Sequence, residues 1–162
     1  MSNPVEYSHN IIKARVAETI IQELFQQNGY HVFNYGMERT IPSILGTIKN
    51  QSDAIATAIR AQPDFVVQDS QSGELFYVEV KYRKSGHFNI DDLIDNFPYQ
   101  NAHFVIVSPK NIQAISYSDL ERGFSINSAK NRGIESYPFF KLDVNSIILF
   151  KKFVFDFFGN QP

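Results

Sequence analysis

The chain has 162 residues, 43% hydrophobic and 20% charged, the balance of one globular domain with a sizeable core; this excludes a disordered or fibrous chain. Cysteine is absent, so disulfides and thiolate metal sites are excluded, and any metal must be held by oxygen or histidine. A net charge of −2 argues against coating nucleic acid through bulk electrostatics, yet it allows a locally basic cleft.

No apolar run approaches the ~20 residues of a membrane helix, and no signal-type run opens the chain, so a cytoplasmic protein without a membrane partner is expected. Met1 to Asn10 is polar and reads as a frayed lead-in. Ile11 to Asn28 predicts a helix, because Ala17, Ile20, Ile21 and Leu24 follow one buried stripe and Gly29 supplies the stop. Glu18 borders that stripe, whereas Glu23 falls on the wet side. By itself, Glu18 reads as a surface carboxylate whose methylenes pack on the core edge.

Tyr30 to Tyr35 predicts a strand closed by Gly36, with His31 at a strand edge. Glu38 and Arg39 read as solvated loop charges. Ser52 is expected to cap a short helix over Asp53 to Arg60, with Ala54, Ile55, Ala58 and Ile59 facing inward. Arg60 has two open roles, binding phosphate or pairing with a nearby acid. Pro63 to Val67 and Tyr77 to Lys81 are apolar runs of strand type, joined by the polar turn Gln68 to Glu74 with its glycine. On the second run Glu79 and Lys81 share one face while Val78 and Val80 share the other. Antiparallel pairing lets Asp64 approach Glu79 and Lys81, and two carboxylates beside an ammonium suit a hard divalent cation. The plain alternative for Glu79 and Lys81 is a salt bridge on a wet sheet face.

Tyr82 to His87 is a basic, flexible exit. Arg83 and Lys84 there lie where a phosphate backbone would run, or else they only solubilise the loop. Asn89 is expected to cap a helix over Ile90 to Phe97, ended by Pro98. Ala102 to Val107 predicts a strand buried on both faces and parallel to its neighbour, opened by a structural His103. Ile112 to Tyr117 predicts a shorter strand, and Ser118 to Glu121 one capped helical turn. Gly123 to Pro138 reads as a loop, with Lys130 and Arg132 as solvated charges or a groove extension. Asp143 is expected to cap a last helix, Val144 to Phe158, which carries more apolar surface than one stripe requires. It either closes the second face of the sheet or also meets a partner subunit.

The string Pro63-Asp64 … Glu79-Val80-Lys81 resembles the PD-(D/E)XK signature of restriction-endonuclease-like nucleases. Glu18 followed by Gly29-Tyr30 resembles that superfamily's helix-then-Gly-Tyr pattern, and the element order matches over residues 11 to 117. The resemblance implies an α/β three-layer sandwich in which a mixed central sheet of about five strands is flanked by helices. Residues 1–162 would form a single nuclease-like domain with the aromatic helix 144–158 at its end. It further implies that Asp64 and Glu79 hold Mg²⁺ (Mn²⁺ substituting), with Glu18 completing the shell. Lys81 would position or help deprotonate the attacking water and stabilise charge on the phosphate. The expected activity is hydrolysis of phosphodiesters in DNA rather than RNA, with Arg60, Arg83 and Lys84 as nucleic-acid contacts and a homodimer through the last helix. The alternative is a nuclease-fold protein that binds nucleic acid or a protein partner without cutting.

Overall fold

The computed structural model describes residues 3–37, 42–48, 50–128 and 131–160. In chain order the elements are α1 (Pro4–Gln27), β1 (Tyr30–Asn34), α2 (Pro42–Ile48), α3 (Ala54–Arg60), β2 (Phe65–Asp69), β3 (Leu75–Tyr82), β4 (Ala102–Ser108), β5 (Asn111–Ser116), α4 (Tyr117–Glu121) and α5 (Val144–Phe158). Single 3-10 turns lie at Ile90–Asp92 and Ile134–Ser136.

The strands form one sheet in the order β1-β2-β3-β4-β5. Every neighbouring pair is antiparallel except β3 and β4, which run parallel from Tyr77↔Ala102 to Tyr82↔Val107. The result is an α/β protein with a mixed five-stranded sheet flanked by helices. Polar residues at the β2–β3 hairpin keep its turn short, and Gly73 takes a φ of 76° there, a conformation glycine adopts without steric cost.

Alternation along the strands supplies two cores. On one face Val78, Val80, Val105 and Val107 pack with Ile21, Leu24 and Phe25 of α1 and with Ile147, Phe150 and Val154 of α5. On the other, Phe104 and Ile106 pack with Phe88, Ile115, Leu120 and Ile126. β4 is buried along its whole length, as a central parallel strand should be.

Several expectations are corrected. The first helix starts at Pro4, not Ile11: the Asn3 carboxamide oxygen accepts from Val5 N–H at 3.0 Å, and proline suits the first helical position. Asp53, not Ser52, caps α3, and the buried residue is Ala56 while Ile55 is exposed. The helix expected over Ile90–Phe97 is only one 3-10 turn. Its Asn89–Asp92 capping box forms, but Leu93 is extended, Asn96 has a φ of 57°, and Pro98 disfavours helical backbone just before it. The crossover to β4 is therefore irregular. Ser116, not Ser118, caps α4, accepting from Asp119 N–H. The 123–138 stretch contains the second 3-10 turn, and Arg132 pairs with Asp119 at 2.8 Å. Glu38, Arg39 and Lys130 lie outside the described residues. Among those described, no helix is long and apolar enough to cross a membrane.

Candidate active site

Asp64 stands one residue before β2, and the pairing Phe65↔Val78 carries on to place it opposite Glu79. Two reciprocal bonds lock the pair. Asp64 N–H donates to Glu79 Oε2 at 3.1 Å, and Val80 N–H donates to Asp64 Oδ2 at 2.8 Å. The side chain thus takes the place of a ladder carbonyl, which fixes its carboxylate against β3. Tyr35 N–H holds the Asp64 carbonyl at 2.9 Å from the β1 side.

Asp64 is only 8% exposed. Burial pushes its carboxyl well above the usual aspartate range, and the charges of Glu79 and then Glu18 push it further; the Val80 bond and Lys81 only partly oppose them. Glu18, itself 8% exposed on α1, acts on Asp64 across this space, as its place at the edge of the buried stripe allows. Lys81 Nζ lies 2.5 Å from Glu79 Oε1. Burial alone would lower Lys81, but the charge and hydrogen bond of Glu79, with help from Asp64, leave it above the ordinary lysine value. Lys81 is therefore a cation in this state.

The four predicted site residues are thus brought into one electrostatic unit. Asp64, Glu79 and Lys81 line a cavity of about 90 Å³ closed by Gly36, Met37, Gln62 and Arg60. Arg60 nonetheless takes a structural role, since its Nη1 donates to the carbonyls of Ile48 (2.8 Å) and Gln51. Arg83 lies 3.8 Å from Asp92 with its guanidinium over Phe88, and its charge acts on Lys81. Lys84 lines a separate groove of about 510 Å³ together with Lys110, Lys151, Ser108 and Glu135. Lys110 and Lys151 give no signal in sequence, because the β4–β5 turn and α5 meet there only in the fold. Gln62, whose side-chain oxygen accepts from Met37 N–H at 3.0 Å, was equally invisible. His103 is structural as expected, buried with its Nδ1 2.6 Å from the Tyr137 hydroxyl.

Among the described residues no group of three or more His, Asp or Glu side chains is gathered to hold one ion. The donor set still suits Mg²⁺, which keeps several waters and needs only one or two protein carboxylates. Asp64 and Glu79 could supply those, because a carboxylate oxygen that accepts one hydrogen bond retains acceptor capacity. No protein-family model matches this chain, and no curated protein matches it.

Proposed function

We propose that the protein is a Mg²⁺-dependent nuclease that hydrolyses phosphodiester bonds in DNA. The observation that carries this reading is the Asp64 carboxyl, raised by burial and then by Glu79 and Glu18, beside Glu79 and its ion pair with Lys81. Packing like charges together costs stability, and such an arrangement marks a site that gains a countercharge from a ligand. Asp64 and Glu79 would hold the metal, with Glu18 reinforcing their negative field. Bound Mg²⁺ supplies a low-pKa water and neutralises charge that develops on the phosphate.

The chain's own groups do the rest. The ladder bonds from Val80 and Asp64 N–H fix the two carboxylates before any ligand arrives. Lys81, protonated and anchored by Glu79, stabilises the negative charge of the reacting phosphate rather than taking a proton from water. The groove with three lysines and one glutamate begins three residues beyond Lys81 and offers a local positive field on a chain of net charge −2. That field favours a polyanionic substrate.

The test is cleavage of labelled single- and double-stranded DNA with Mg²⁺ or Mn²⁺ by wild type, Asp64→Asn and Lys81→Met, beside calorimetric metal titration. Metal-dependent cutting lost in both variants supports the proposal. Metal and DNA binding without cutting moves the assignment to a non-cleaving nucleic-acid-binding protein, and no metal binding at millimolar concentration rejects the site.

A further inference from the structure

The groove of about 510 Å³ that holds Lys84, Lys110 and Lys151 is walled by segments far apart in sequence: the loop after β3, the β4–β5 turn, Ser128, Glu135 and α5. Gly86, at a φ of 70°, lets the first of these close on the others. A Cβ there would stand 3.6 Å from Ser128 Cα and 3.9 Å from Ser108 Cβ. At about 30 Å³ per water the space equals roughly 17 waters, several times an inorganic anion and within the range of small-molecule sites.

Two buried polar groups on its wall are left wanting. Gln113 is 1% exposed, and its Nε2 donates to the carbonyls of Asn131 at 2.7 Å and Asn127 at 3.1 Å. Those two acceptors fix which end of the amide is nitrogen, and Oε1 accepts no hydrogen bond. Among the described residues no wholly enclosed side-chain nitrogen or oxygen lacks a partner, so this oxygen opens onto the groove that Gln113 lines. Ser108 is 7% exposed, and its hydroxyl reaches only the Asn111 carbonyl, at a long 3.5 Å.

The charges name the other half of the ligand. Lys151 is held by Glu135 at 2.8 Å, so three ammonium groups less one carboxylate leave two positive charges. That matches a phosphate monoester, which carries about −1.5 to −2 at neutral pH on three acceptor oxygens. A link within a strand carries a single charge, and a groove walled by five segments seats an end better than a running chain. Lysine only donates, so a bare anion would leave Gln113 Oε1 unmet. The ligand that satisfies both carries an anion at one end and N–H or O–H donors at the other. We propose that this groove is a second binding site, for a nucleotide with a terminal phosphate monoester, free or at the end of a strand. The strand end as source rests on the nuclease reading; the free nucleotide does not.

Calorimetric titration of the full chain without divalent metal tests this. The probes are the four deoxynucleoside monophosphates, inorganic phosphate, and one oligonucleotide with a 5′-phosphate, a 3′-phosphate or neither. At least one mononucleotide or phosphorylated end should bind with a Kd below about 100 µM, at least about tenfold tighter than inorganic phosphate. Lys110→Glu, at an exposed position, should weaken that binding at least about tenfold with an unchanged circular dichroism spectrum. Glu135→Gln removes a like charge from beside the phosphate and should tighten it about threefold or more. Asp64→Asn should bind as wild type does, since its cavity is a different one. Mononucleotides that bind while the oligonucleotide ends make no difference support the proposal with a free ligand; a phosphorylated end that binds and is displaced by mononucleotide supports it with a strand end. Nucleotides no tighter than inorganic phosphate overturn it, as does a Kd that neither groove variant moves. Equal binding of all three oligonucleotides without any mononucleotide binding overturns it in favour of a plain polyanion field, and leaves the nuclease reading standing.

Discussion

Replacing Asp64 separates two things that its carboxylate does. As a hydrogen-bond acceptor it satisfies the N–H of Val80, a buried residue, at 2.8 Å. As a charge it is opposed by burial, Glu79 and Glu18. Asp64→Asn keeps an acceptor and removes the charge, whereas Asp64→Ala removes both. Because the folded state holds this carboxyl above its ordinary 3.8, the fold takes up a proton that the unfolded chain releases. The group therefore costs nothing below the unfolded value, and stability is lost as pH rises from there through the folded value. At pH 8 Asp64→Asn should be more stable than wild type by roughly 1–2 kcal/mol, because burial and then repulsion from Glu79 and Glu18 disfavour the carboxylate, and the Val80 hydrogen bond and Lys81 cancel only part of this. The melting temperature should rise by about 2–8 °C, and the gap should close toward pH 4. Asp64→Ala leaves Val80 N–H without its acceptor and should be about 1–3 kcal/mol less stable than Asp64→Asn at every pH. Mg²⁺ at tenfold excess over its Kd should add about 1.4 kcal/mol to wild type and nothing to Asp64→Asn. Thermal melts from pH 4 to 8, with and without Mg²⁺, measure all of this. A wild type as stable as Asp64→Asn at pH 8, with a parallel pH profile, would refute the reasoning.

Burial lowers His103 to about 4, so its contribution runs the opposite way: stability is lost as pH falls from the unfolded value near 6.5 toward 4, by roughly 2–3 kcal/mol, and His103→Gln should flatten that limb of a urea-denaturation series. Lys84→Glu with Lys110→Glu should weaken oligonucleotide binding and reduce its salt slope by about 2, read by fluorescence anisotropy across salt, while melting is unchanged. Asp143→Ala removes the acceptor for Ser146 N–H at the start of α5 and should cost about 0.5–2 kcal/mol by chemical denaturation. Phe104→Ala, fully buried in the second core, should cost about 3–5 kcal/mol in the same assay.

What local chemistry determines was legible in the residues. Alternation in Phe65–Val67 and Tyr77–Tyr82, the unbroken apolar run of β4, Gly29 after α1 and the Asp143 cap are near-neighbour effects, and the strands and last helix followed from them. Asp64 and Glu79 were readable as a pair because a short hairpin fixes their register, and a register of period two leaves no choice of face. Where two local signals competed, the sequence misled: the apolar spacing of Ile90–Phe97 suggested a helix, but the backbone preference before Pro98 and the packing of Leu93 and Phe97 under β4 prevailed. Only tertiary structure decided that Arg60 serves two backbone carbonyls, that Lys84, Lys110 and Lys151 share a groove, and that α5 leaves some apolar side chains exposed. These depend on contacts between segments tens of residues apart, whose closure is set by packing of the whole sheet and its helices and not by the pattern within any one of them.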